Sequence, residues 1–315
     1  MTNAIEIDAL TKSFGNLTAV RDVSMTVRKG EYMGLLGPNG AGKSTMLKVI
    51  TGMLRATSGT VTVNGIDCKE HRKAMAPVGC VIETPECYPN FTPAEILDYV
   101  GRLRGIGKSE IRIRTREVLE EVRMWEWRDK QIGKFSKGMK QRITLAQALM
   151  PNPEILIMDE PTSGLDPKGM FEVREILKGL KKNDMSLLVS THILSEVSEV
   201  CDSVTVIRKG TAVMSGNVRD LKRRTEKDAT LEITLRNDIT QEFMDDLRNF
   251  ANVAAAERIN EYTFSAKFVG EDDREGLVEL IREHGLGLLT LNQKGADLES
   301  LYLSFTKEDD RDDIR

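Results

Sequence analysis

Residues 37 to 44 read GPNGAGKS, a glycine-rich run that fits G-x-x-x-x-G-K-[ST]. Gly37, Pro38, Asn39, Gly40, Ala41 and Gly42 would form a loop whose backbone N–H groups turn inward and wrap phosphate oxygens. Lys43 would reach the terminal phosphates, and the Ser44 hydroxyl, with Thr45 beside it, could ligand Mg²⁺. A helix beginning there aims the positive end of its dipole at the same anion. A chance glycine turn is the competing reading of the string alone. A second stretch, ILIMDE (155 to 160), ends an apolar run on two carboxylates. Asp159 is suited to hold Mg²⁺, directly or through water. Glu160 falls on the other side of the strand and is a candidate base for an attacking water. A solvated strand end with two ordinary acids fits the same letters.

These groups need elements to hold them. YMGLLG (32 to 37) is a dense apolar run, hence a buried strand, and it feeds the glycine loop and the helical pattern TMLKVITGML. IEIDAL (5 to 10) and VSMTV (23 to 27) alternate apolar and polar residues as half-buried strands do. TVTVNG (60 to 65) ends in Asn-Gly, a tight-turn signal. From Pro93 to Met150 the periodicity is helical, in AEILDYVGRL and SEIRIRTREVLEEVRMW. EILIMD (154 to 159) and SLLVST (186 to 191) are buried-strand candidates separated by the helical FEVREILKGLKK. Strand, helix, strand at this spacing implies a parallel sheet with crossover helices. VTVIRKGTAVMSG (204 to 216) reads as a hairpin.

A polar, charged stretch at 217 to 228 marks a linker. Beyond it the order is β-α-β-β-α-β, the pattern of a small split-βαβ, ferredoxin-like domain, which LESLYLSFT would close as a short helix. The expected domains are therefore 1–216, with a helical subdomain at about 93–150, then the linker, an accessory α+β domain at 229–308, and an acidic tail at 309–315. The length, 315 residues, exceeds what one core usually holds. A net charge of −4 gives no general reason to expect nucleic acid. Apolar runs fall well short of the ~20 residues of a spanning helix, and the N-terminus has no signal pattern. Cys68, Cys80, Cys87 and Cys201 show no CxxC spacing and read as reduced thiols. His71 and His284 read as surface residues, and Trp125 and Trp127 as packing within the helical subdomain or covering its edge.

FSKGMKQR (135 to 142) looks alone like a solvated turn entering an amphipathic helix. Taken with its neighbours it carries a resemblance. The chain resembles the nucleotide-binding subunits of ABC transporters over residues 4 to 215, in five ordered motifs. GPNGAGKS is one and ILIMDE another. FSKGMKQR stands where the family has its LSGGQ-type signature, EPTSGLD (160 to 166) resembles the D-loop, and STH (190 to 192) the switch histidine. KSFG puts Phe14 where the family has an adenine-stacking aromatic. The resemblance implies a P-loop α/β fold, and ATP and Mg²⁺ as ligands. It implies Glu160 and His192 in hydrolysis, with metal held by Ser44, Asp159 and Glu83. Ser136, Lys137, Gly138 and Met139 would face the nucleotide of a second subunit, and Ser163, Gly164, Leu165 and Asp166 would form the D-loop. Lys137 and Met139 depart from the common Gly and Gln, which leaves backbone donors in place.

Glu83, in CVIETPECYPNFT, stands where the family usually has a glutamine that contacts Mg²⁺ and the transmembrane partner. That glutamate resembles the bacitracin and lantibiotic type of ABC-2 exporter. Tyr88 and Phe91 would face the partner's coupling helix or pack in the core. The implied protein is a cytoplasmic, membrane-associated ATPase peripheral on the inner face of the cell membrane. It would pair with a copy of itself or a homologous subunit and power a separate permease that exports a drug, peptide antibiotic or lipid-like cargo. The alternatives are a soluble ABC ATPase acting on ribosomes or DNA, and an ATP-sensing regulatory module. The chain lacks the tandem cassettes or coiled-coil insertion of the first, and it retains Glu160 and His192 against the second.

Overall fold

The computed structural model of the protein describes residues 3–83, 88–181, 184–221, 230–268 and 273–294. The expected helix LESLYLSFT, the acidic tail, Cys87 and most of the linker lie outside them. The chain divides into two compact units, Met1–Val218 and Arg219–Arg315.

In the first unit, alternating segments form an antiparallel sheet. β1 (Asn3–Phe14) pairs with β2 (Leu17–Arg28) and with β4 (Ser58–Val63), which turns back into β5 (Ile66–Asp67). The turn is Asn64-Gly65, with φ of 47° and 77°, the doubly left-handed geometry of a two-residue hairpin.

The apolar runs form the second sheet. β3 (Tyr32–Leu36), β6 (Val78–Val81), β7 (Ile155–Asp159), β8 (Ser186–Thr191) and β9 (Ser203–Arg208) are parallel, with β10 (Thr211–Asn217) antiparallel at the edge. The order is β10-β9-β3-β8-β7-β6. Every residue of β3 and β8 is buried, as strands covered on both faces require. The crossovers include α1 (Lys43–Ile50), the short α2 (His71–Ala74), α6 (Pro167–Leu180) and α7 (Leu194–Val200).

Between β6 and β7 stand α3 (Pro93–Leu103), α4 (Lys108–Glu121) and α5 (Lys137–Leu149). α3 opens on a capping box, in which the Thr92 hydroxyl accepts the Glu95 amide and Glu95 accepts the Thr92 amide. The Arg116 and Arg128 guanidinium groups each lie over the Trp125 ring, 5.4 and 4.6 Å from its centroid, and Trp127 meets Phe135 edge-on. The three described cysteines are free, and burial pushes their thiols up, Cys68 to about 11 with a smaller contribution from Asp67. They stay protonated and are poor nucleophiles.

The second unit runs β11 (Thr230–Leu235), α8 (Gln241–Asn249), β12 (Val253–Arg258), β13 (Thr263–Phe268), α9 (Arg274–Glu283) and β14 (Leu288–Lys294). The sheet order is β12-β13-β11-β14, all antiparallel. Leu231, Ile233, Phe243, Phe264, Leu277 and Ile281 form its own core. His284 is not the unpartnered surface residue the sequence suggested. It is half-buried, bonds Asp246 at 3.0 Å and meets Phe243 edge-on. The partners lie on a different helix, so local pattern does not reveal them.

Two cores and a polar connection lead us to propose that the first unit stands alone. A chain ending at Val218, whose amide still bonds the Asp202 carbonyl at 2.8 Å, is expected to melt in one cooperative transition and to bind ATP. An insoluble or non-cooperative product would show that the two cores depend on each other.

Candidate functional site

The glycine loop joins the end of β3 to α1, and its path is set by close backbone approaches. The Gly37 amide bonds the Thr191 carbonyl at 3.3 Å, and Ala41 closes a turn onto the Pro38 carbonyl at 3.2 Å. A Cβ on Gly37 would meet the Ile207 carbonyl at 2.2 Å, and one on Gly42 would meet the Ala19 carbonyl at 2.5 Å. Gly42, with φ of 104°, is the N-cap of α1 and supplies no side-chain cap. The first amides of α1 therefore have no capping acceptor, which is the arrangement of an anion site at a helix start.

Lys43 is only 4% exposed, so its charge requires partners. Its Nζ donates to the Gly37 carbonyl at 2.7 Å and the Pro38 carbonyl at 3.1 Å. It also lies 3.2 Å from Glu160 Oε1. The other oxygen, Oε2, is 3.2 Å from Nδ1 of His192. One carboxylate thus bridges the lysine of the glycine loop and the histidine after β8.

Glu160 owes its place to the end of β7. Its φ is 45°, a left-handed value uncommon for a side chain of this size, and the turn lifts it off the strand. Its amide donates to the Ser190 carbonyl at 3.1 Å and the Ser190 hydroxyl at 3.0 Å. Asp159, one residue earlier, accepts that same hydroxyl. Ser190 therefore holds the two neighbouring carboxylates on their separate courses.

The remaining candidates are not part of the bridge from Lys43 through Glu160 to His192. Ser44 is exposed at the start of α1 and Thr45 is half-buried. Pro38, Asn39 and Gly40 are exposed along the loop. Ser44 and Asp159 offer hard oxygen donors of the kind Mg²⁺ takes alongside phosphates and water, so the donor set fits that ion. Glu83, with φ of 66°, lies just beyond β6 and is paired with Lys48 of α1. Phe14 is 46% exposed, with the Lys12 ammonium 4.8 Å from the ring centroid. Tyr88 and Phe91 lie 5.5 Å apart, ring to ring, and both are exposed rather than packed in a core.

Ser136 is the N-cap of α5, accepting the Met139 amide at 3.3 Å. A Cβ on Gly138 would meet the Gly169 Cα at 3.5 Å, an ordinary van der Waals distance. The Lys137 ammonium lies where a Cβ on Gly164 would come within 2.2 Å of it. Ser163 bonds the Glu160 carbonyl at 3.1 Å, Leu165 the Thr162 carbonyl at 3.1 Å, and Asp166 caps α6 through the Gly169 amide at 3.0 Å. The start of α5 thus rests on the 160–166 loop of its own chain. The residues that sequence reasoning missed are Ser190 in its bridging role, and Thr162, Thr191 and Glu196, which are hydrogen-bonded together. A hydroxyl within a motif, or an acid beyond one, gives no local signal of where it bonds.

Three kinds of similarity bear on this geometry. Residues 20–163 match the family described as ABC transporter. The chain is 34% identical to the linearmycin resistance ATP-binding protein LnrL of Bacillus subtilis (strain 168), over 98% of this chain and 100% of that one. It is also 34% identical to the bacitracin transport ATP-binding protein BcrA of Enterococcus faecalis, over 96% of each. Among solved structures, a dimeric bacterial ABC transporter cassette superposes with a TM-score of 0.62 at 26% identity. That superposition covers 68% of this chain and 99% of the cassette.

Proposed function

We propose, for a chain that belongs to the ABC transporter family as a P-loop ATP-binding, ATP-hydrolysing subunit, that it drives an ABC-2-type exporter of the antibiotic-resistance kind. The observation that carries the hydrolytic part is the bridge from Lys43 through Glu160 to His192. The support for the exporter subtype is that both antibiotic-associated relatives align over 96% or more of this chain, a length that takes in most of the second unit.

In the proposed cycle, the phosphates of ATP take the place of Glu160 as the anion beside Lys43. That leaves Oε1 free. A water oxygen attacks the γ-phosphorus, the bond to the ADP oxygen breaks, and the water's proton passes to Glu160. His192 holds the other carboxylate oxygen and so fixes the direction of the accepting lone pair. Ser44 and Asp159, with Glu83, would hold Mg²⁺, and the ion would supply positive charge against the phosphates. Phe14 stacks on the adenine. The N-terminus of α5, with Ser136 and Gly138, completes the site of a second subunit, either a copy of this chain or a homologue.

Glu83 is the residue on which permease coupling is proposed to turn. Its pair with Lys48 is exposed, and exposed pairs contribute only about 0.2–1 kcal/mol, so little holds the carboxylate away from a metal or a partner. Purified with its permease, the parent chain is expected to hydrolyse ATP faster than alone. Glu83→Gln should need more Mg²⁺ and respond less to the permease, with an unchanged melting curve. Absence of any permease stimulation in the parent would remove the exporter reading. Parent-like Mg²⁺ titration and stimulation in Glu83→Gln would return Glu83 to the surface.

A further inference from the structure

One buried carboxylate outside every motif ties three parts of the site together. Glu196, in the first turn of α7, is 6% exposed. Its Oε1 accepts the Thr162 hydroxyl, and its Oε2 accepts the Thr191 hydroxyl at 2.6 Å. Thr162 belongs to the 160–166 loop, where its carbonyl accepts the Leu165 amide in the turn that carries Gly164. Thr191 directly precedes His192. Its hydroxyl oxygen also accepts the Ile193 amide at 3.0 Å, so the backbone on both sides of His192 is tied to this one side chain. The Thr191 carbonyl receives the Gly37 amide, which carries the connection to the glycine loop.

The energetics argue for a purpose beyond packing. A buried carboxylate loses hydration, and an apolar side chain would fill the same volume without that cost. No ion pair compensates Glu196 among the described residues; two hydroxyls do. Hydrogen bonds to a charged acceptor are shorter and roughly twice as strong as neutral ones. They are also directional, and both are aimed at segments that touch Glu160.

We propose that Glu196 is a positioning residue for ATP hydrolysis. Through Thr191 it sets His192 against Glu160, and through Thr162 it locks the 160–166 loop to the same strand end. Movement at either loop is then transmitted to the other. The proposal rests on the reading of Glu160 and His192 as the hydrolytic pair.

The test is steady-state ATP turnover by the full chain carrying Thr162→Val, Thr162→Ser or Glu196→Gln, each alone and combined with His192→Ala. Thr162→Val keeps the shape and removes the hydroxyl, whereas Thr162→Ser keeps it. Thr162→Val and Glu196→Gln should lower kcat by about tenfold or more while KM for ATP stays within about twofold, the pattern of a group that acts after binding. Thr162→Ser should stay within about twofold of the parent in kcat. Added to the residual turnover of His192→Ala, Glu196→Gln should cost less than it does in the parent, because one of its two routes, through Thr191, acts on a group already removed. Parent-like kcat in Thr162→Val and Glu196→Gln would overturn the proposal. So would losses that multiply fully with His192→Ala, or a rise in KM at constant kcat. If Glu196→Gln does not fold, the Thr162 pair decides alone. Failure of the underlying pair looks different: His192→Ala and Glu160→Gln would then turn over like the parent.

Discussion

Glu160→Gln is expected to bind ATP as the parent does and to hydrolyse it about 10²–10⁴ times more slowly, the usual loss when a positioned base is removed. Glutamine has the same length, so the left-handed turn at residue 160 and the amide bonds to Ser190 persist. Its amide oxygen can still face the Lys43 ammonium. What it lacks is a carboxylate that accepts the water's proton. Equilibrium binding of labelled ATP and release of inorganic phosphate separate the two quantities. Equal phosphate release by variant and parent would take Glu160 out of the chemistry. Loss of binding would make it part of the phosphate cradle instead.

The second large effect is on assembly. With Mg-ATP, the Glu160→Gln variant is expected to run as a dimer, and adding Ser136→Arg should return it to a monomer that still binds nucleotide. Within one chain, the start of α5 lies on the 160–166 loop, with the Lys137 ammonium beside Gly164. The exposed Ser136 therefore has its phosphate partner on another chain in this reading. Arginine at 136 removes the N-cap, at about 0.5–2 kcal/mol, and places a long side chain on the contact face. Melting of the variant distinguishes a blocked face from a lost helix. A parent-sized dimer with Ser136→Arg, or a monomer of Glu160→Gln in saturating Mg-ATP, would refute the two-chain site.

The strand–loop–helix at 32 to 50 is legible because each part has its own local signature: an apolar run, a glycine string and a 3.6-residue period. The same holds for the two carboxylates at the end of β7 and for the element order of the second unit. Partnership is what local pattern does not contain. Thr162 and Glu196 are 34 positions apart, as part of a contact that forms only when the 160–166 loop and α7 meet beside β8. Glu83 and Lys48 are 35 apart and meet because β6 ends beside α1. Glu196 occupies a helical first turn, where an acid is favoured by the dipole and attracts no notice. That it points inward follows from tertiary packing alone.

The order of strands in the parallel sheet also has a consequence in time. β3 carries the glycine loop, yet its two neighbours, β8 and β9, begin only at Ser186 and Ser203. From Leu36 to Ser203 a ribosome must add 203 − 36 = 167 residues, which at roughly 5–20 residues per second takes about 10–30 s. The hairpin of β1 and β2 can close as soon as it emerges. β3 cannot, because both of its hydrogen-bonding edges wait for chain not yet made. A nascent chain halted anywhere short of Ser203 therefore presents an apolar strand with at least one open edge, the form most prone to pair with the wrong neighbour.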